Sequence, residues 1–176
     1  MDGSLEQVGD RWKLRFVRSL HHPPDKVWRA ISEPDELVTW FPTEVIGERA
    51  AGAPLRFVFR NGEAPPFDGR MITYEPPSLL EFLWGDDQLR FSLEPQGDAT
   101  VLTLEVTFDE LGKAARDAAG WHTCLDVLEH RLTGEEPPWK PSERWQEVHD
   151  TYVARFGPEA STIGPPEPTA DNANGD

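Results

Sequence analysis

The sequence predicts an α+β fold: a curved antiparallel sheet wrapped around one long C-terminal helix, with two short helices after the first strand. Three observations carry this expectation. Apolar and polar residues alternate over 11–21 and through most of 43–108, the period of half-buried strands. Two Pro-acid pairs, Pro24-Asp25 and Pro34-Asp35, open short stretches of helical spacing between those regions. Then Ala114, Ala118, Trp121, Leu125, Leu128 and Leu132 recur at steps of four and three, which is one stripe of a six-turn helix.

In "RWKLRFVRSLH" (11–21), Trp12, Leu14 and Phe16 point one way and Lys13 and Arg15 the other. "PPDKVWRAIS" follows, with Val27, Trp28 and Ile31 on one helical face, and "EPDELVTWF" repeats the pattern with Leu37, Trp40 and Phe41. "LRFVFR" sets Leu55, Phe57 and Phe59 against Arg56 and Arg60. "GRMITYEPP" ends at the breaker pair Pro76-Pro77. "LLEFLWGDDQLRFSLEP" reads as a hairpin turning at Gly85-Asp86-Asp87, with Leu89, Phe91 and Leu93 on one face. "GDATVLTLEVTF" lines Leu102, Leu104, Val106 and Phe108 along one side. Five or six strands with one apolar face need a cover, and the stripe of 111–132 supplies it. After Gly134 and the "EEPPWKP" linker, "SERWQEVHDTYVARFG" predicts a further helix, with Ser142 as N-cap and Trp145, Val148, Tyr152 and Phe156 on the face that docks against the domain.

These elements divide the chain into a flexible N-terminus (1–9), the sheet-and-helix domain (10–133), a linker with an additional helix (134–157) and a disordered acidic, Pro-rich tail (158–176). The net charge of −15 disfavours nucleic acid and anionic membrane surfaces as partners. One cysteine, Cys124, rules out an intramolecular disulfide and suits a reducing interior. With no signal peptide and no apolar run long enough to span a bilayer, the expected location is cytoplasmic, with no membrane insertion. The oligomeric state is left open.

The chain carries no assembled catalytic set. His122 and Cys124 lie two apart on a helix, about 200° around its axis, so they do not form a nucleophile pair. His122 falls beside the apolar stripe, expected near solvent, and Cys124 at its edge as a small core residue. His21-His22 point to opposite faces of a strand, and no Cys or carboxylate spacing completes a metal site. Neither a metal nor a cofactor is expected, and no phosphate-cradling glycine loop or nucleophile elbow occurs. Glu81 and Glu105 alternate with the core side, so they are expected on the outer face of the sheet.

Three stretches, "VWRAISEPDELVTWF" (27–41), "GRMITYEPPSLLEFLW" (69–84) and "GWHTCLDVLEHRL" (120–132), occur in an order that resembles the helix-grip fold of the START-like (SRPBCC) superfamily. The sequence is most similar there to bacterial proteins resembling the C-terminal domain of the activator of heat shock protein 90 ATPase. The resemblance implies an apolar cavity between sheet and long helix. It also implies one of three activities: binding a small lipophilic molecule, regulating a chaperone, or cyclase- or hydrolase-type chemistry by a cavity carboxylate or His. The binding module leads, because the chain is rich in inward aromatic residues. Trp40, Phe57, Phe59, Phe67, Trp84, Phe91, Trp121 and Leu125 are the candidate cavity residues. The same side chains serve equally well to fill a core, and the sequence leaves those two alternatives open.

Overall fold

The computed structural model describes residues 2–165. Eight strands form one antiparallel sheet: β1 (Ser4–Val8), β2 (Arg11–Leu20), β3 (Thr43–Ile46), β4 (Pro54–Phe59), β5 (Phe67–Glu75), β6 (Leu79–Trp84), β7 (Asp87–Gln96) and β8 (Ala99–Phe108). Their order is β1-β2-β8-β7-β6-β5-β4-β3, so a meander from β3 to β8 ends beside β2. Helices α1 (Pro24–Ser32) and α2 (Pro34–Leu37) separate β2 from β3. A single 3-10 turn, Leu111–Lys113, leads into α3 (Ala114–Thr133), and α4 (Pro141–Phe156) lies against α3. This is the expected helix-grip architecture, a curved sheet closed by a long C-terminal helix.

The alternation in β8 survives as strict alternation of burial, with Leu102, Leu104, Val106 and Phe108 fully buried. All six members of the α3 stripe are buried as well. Gly134, at φ 77, ends α3 in the left-handed conformation that a β-carbon disfavours. Lys26 Nζ donates to the Leu132 carbonyl at 2.7 Å, tying α1 to the end of that helix. On the outer face of the sheet Glu81 and Glu105 stand as expected. Glu81 accepts from Gln88 Nε2 at 2.9 Å, and Arg90 bridges both carboxylates at 3.5 and 3.8 Å.

Several expectations need correction. Residues 4–8, expected to be loose, form β1, because the N-terminus has an anchor: Gly3 N–H donates to Tyr152 Oη at 2.7 Å. The acidic tail was expected to be disordered from residue 158, yet Pro158–Ser161 form a 3-10 turn with Ala160 buried, and Ile163 N–H donates to the Gly112 carbonyl at 3.0 Å. The rest of that tail, 166–176, lies outside the described residues. Helix α4 begins at Pro141, with Lys140 rather than Ser142 at the N-cap and no side-chain cap. Asp87 belongs to β7 rather than to the hairpin turn, which Gly85, at φ 60, and Asp86 complete.

Candidate functional site

Aromatic side chains cluster between sheet and α3. Phe57 packs on Phe67 and Trp84 at centroid distances of 5.0 and 4.7 Å, and Phe41 meets Trp84 and Trp121 at 5.1 and 5.6 Å. A small gap under α1 and α2, lined by Ile31, Leu37, Phe82, Phe91, Met71 and Arg49 among others, measures about 10 Å³, room for no more than a water molecule. An open cleft of about 730 Å³ lies between α3 and the sheet, bounded by Trp84, by Phe59 and Glu63 of the β4–β5 region, and by Pro141 and Trp145 of α4. It continues past Pro42, Thr123 and Cys124 into a second space of about 470 Å³ beside Trp40, Arg60 and Val127.

The eight candidate cavity residues therefore separate. Phe59, Trp84 and Trp121 line the cleft, and Trp40 lines its continuation, its indole Nε1 donating to the Ala30 carbonyl at 2.8 Å. Phe91 borders only the small interior gap. Phe57 and Leu125, both fully buried, and Phe67 border none of these spaces and act as packing.

The polar end of the cleft comes from residues the sequence reading did not single out. Lys113 Nζ, on the turn before α3, reaches both oxygens of Asp87 at 2.8 and 2.7 Å and Asp117 at 3.5 Å. Arg116 Nε donates to Asp117 Oδ1 at 2.9 Å. Burial pushes the Asp87 carboxyl above its ordinary range, and the hydrogen bond from Lys113 only partly offsets this. Cys124 is partly exposed in the cleft rather than enclosed in the core, and desolvation pushes its thiol up to about 12, so it stays protonated at neutral pH. Helical spacing does place 113, 116, 117, 120 and 124 on one side of α3. What the sequence could not supply is the partner of Lys113, which sits 26 residues away on β7.

A second polar cluster fastens the cleft wall. His122, expected near solvent, is 2% exposed because α4 covers it. Its Nδ1 lies 2.8 Å from Tyr152 Oη, and its Nε2 lies 3.3 Å from Arg144 Nη2 and 3.4 Å from Asp126. Asp126 also accepts from Arg144 Nε at 2.8 Å and from Arg18 Nη2 of β2 at 3.1 Å. Burial alone would raise the Asp126 carboxyl, but hydrogen bonds from His122 and Arg144 outweigh it and hold the group below its ordinary value. Arg18 thus occupies an inward position of β2, 4% exposed, with Asp126 and Glu129 as counter-charges.

An eight-stranded grip around one helix, with an aromatic and charged cleft at its side, defines a helix-grip protein. A model of the family described as Activator of Hsp90 ATPase homolog 1-like protein matches residues 21–133, more than half of the chain, and the chain belongs to that family. Among solved structures it is similar to EF2215 of Enterococcus faecalis, a conserved protein of unknown function, with 20% identity over 88% of this chain and 90% of that one and a TM-score of 0.72. CalU16 of Micromonospora echinospora gives 23% identity, 88% and 97% coverage and a TM-score of 0.70. DynU16, from the dynemicin biosynthetic locus, gives 26% identity over 73% of this chain and 51% of that one, with a TM-score of 0.61. These likenesses speak for the fold. No curated protein matches the sequence.

Proposed function

We propose that this protein binds a small hydrophobic molecule in the cleft beside α3. The observation that carries the reading is the cleft of about 730 Å³ between α3 and the sheet residues Phe59, Trp84 and Asp87, within the roughly 300–1,000 Å³ typical of small-molecule sites. The lining supports it too, since three indoles and a phenyl ring face a small group of converging charges, an apolar wall with few polar anchors. The charged groups pair with one another, which favours recognition over proton transfer. DynU16, a structural neighbour, comes from a biosynthetic locus, which is consistent with a small-molecule role. Titration with a lipid and polyketide panel, followed by native mass spectrometry and quenching of tryptophan fluorescence, tests the proposal. A stoichiometric adduct with quenching is expected, and silence across the panel overturns it.

The family supports a second reading, regulation of a chaperone ATPase. Mixing the protein with a bacterial chaperone of the heat shock protein 90 class should then raise ATP turnover; unchanged turnover at saturation removes this reading.

A further inference from the structure

We infer that residues 158–165 form a hinged clasp on the cleft, seated on Gly112, which closes over a bound molecule and slows its release. This rests on the binding reading above.

Helix α4 ends at Gly157, at φ 85, and the chain then packs a single 3-10 turn, Pro158–Ser161, against α3, α4 and the turn Leu111–Lys113. Ala160 is buried there, and Ser161 Oγ closes the turn by donating to the Gly157 carbonyl at 2.9 Å. Ile163 N–H then donates to the Gly112 carbonyl, and Pro165, two residues on, lines the cleft together with Asp87, Lys113 and Arg116.

Gly112 is shaped for this contact. Its φ is not positive, so no backbone conformation demands glycine. The demand is spatial: a β-carbon there would meet Thr162 Oγ1 at 2.1 Å and the Ile163 side chain at 3.5 Å. Threonine branches at its β-carbon and has few rotamers in which to retreat. Gly112 also precedes Lys113, whose Nζ holds both oxygens of Asp87, so the seat of the clasp and the charged end of the cleft share one turn.

The attachment is light. Among the described residues, one hydrogen bond, from Ile163 N–H, ties 158–165 to the chain ahead of α4. Ala160 is the one residue of the segment that is fully buried, while Thr162, Gly164 and Pro165 are exposed. Segments so lightly held open at a cost far below that of global unfolding. Gly157 and Gly164 bracket the contact, neither of them crowded at the β position, and such residues absorb the rotations of a hinge. A molecule in the cleft that touches Pro165 favours the seated clasp, and by linkage the seated clasp favours the molecule.

The test follows Nile red, a fluorescent apolar dye, by stopped-flow mixing and displacement with the wild type, Gly112→Ala, Gly112→Ala/Thr162→Ala and Ala160→Asp, and follows amide exchange of the same intact chains. Dye bound to the wild type should slow exchange of the Ile163 amide about 5-fold or more. Gly112→Ala should release the dye about 5–10-fold faster, with entry within about 2-fold of the wild type. Adding Thr162→Ala removes the clashing oxygen and should bring release back to within about 2-fold. Ala160→Asp puts a charge into the buried seat without touching Gly112, and should release the dye as fast as Gly112→Ala does. Unchanged release from a Gly112→Ala protein whose Ile163 amide has lost protection, or dye that leaves wild-type exchange unchanged, overturns the clasp and leaves the binding reading standing. Unchanged protection of that amide in Gly112→Ala, or no recovery in the double variant, overturns the seat at Gly112. Exchange that accelerates across Ala114–Thr133 in both single variants makes 158–165 part of the core rather than a clasp, and overturns the inference as well. No binding of the dye by the wild type removes the binding reading, and the clasp falls with it.

Discussion

Along its sheet side α3 buries Ala118, Leu125 and Leu128 in the apolar core, while along its α4 side the same helix presents His122 and Asp126 to Arg144 and Tyr152. The first contact is non-directional and depends on filled volume. The second depends on pairs of groups, each of which is expensive to bury if its partner is lost. The two sides should therefore fail differently, the first by loss of global stability and the second by loosening of α4 and the N-terminus.

The largest effect is expected at the packed side. Phe57→Ala, at a fully buried ring, should cost about 3–5 kcal/mol in urea unfolding, because the aromatic cluster cannot collapse into the space. A cost under about 1 kcal/mol would show that the interior is looser than this packing implies. On the polar side, Asp126→Ala removes the carboxylate that Arg18 and Arg144 share, leaving Glu129 beside the first and the more exposed Glu147 beside the second, at an expected cost of about 2–3 kcal/mol. Its amide exchange should accelerate first in 141–156, and uniform acceleration would break the distinction between the two sides. Tyr152→Phe removes the acceptor of the Gly3 N–H and the partner of His122, for about 1–2 kcal/mol, with faster exchange in β1.

The smallest effect concerns pH. Asp126 titrates below its ordinary value in the folded chain, so its contribution is complete above the unfolded value of about 4 and fades as pH falls through the folded one. Asp87 titrates above its ordinary value, so charging it costs stability at neutral pH, and that cost disappears as pH falls through its folded value. Unfolding followed from pH 7 to 3 should show a shallower acid loss for Asp126→Asn and a steeper one for Asp87→Asn. The same slope in both variants would contradict the opposite placement of the two carboxylates.

The packed side was largely legible in the sequence. Periods of two and of three to four report directly which side chains share a face, and the stripe from Ala114 to Leu132 needed nothing else. The polar side was not. Arg18 continues the inward face of Leu14 and Phe16, yet a charge on an apolar face looks like a break in the pattern until its counter-charge on α3 is known. His122 falls beside the stripe that α3 turns to the sheet, a solvent-facing position until α4 encloses it. The candidate site falls between these cases. Aromatic content pointed to Trp84, Trp121 and Phe59, but alternation could not separate rings that only pack, such as Phe57, from rings that line the cleft. Nor could it supply Asp87 and Lys113, whose meeting depends on the sheet's closure onto α3.

Gly3 carries a practical consequence for anyone handling this protein. A methyl group there would run into the Phe16 ring at 2.4 Å, beside the amide that Tyr152 holds. Glycines outside regular strands are routinely treated as spare positions for substitution. Here a substitution at Gly3 would press on Phe16 and wedge the sheet open beside β1.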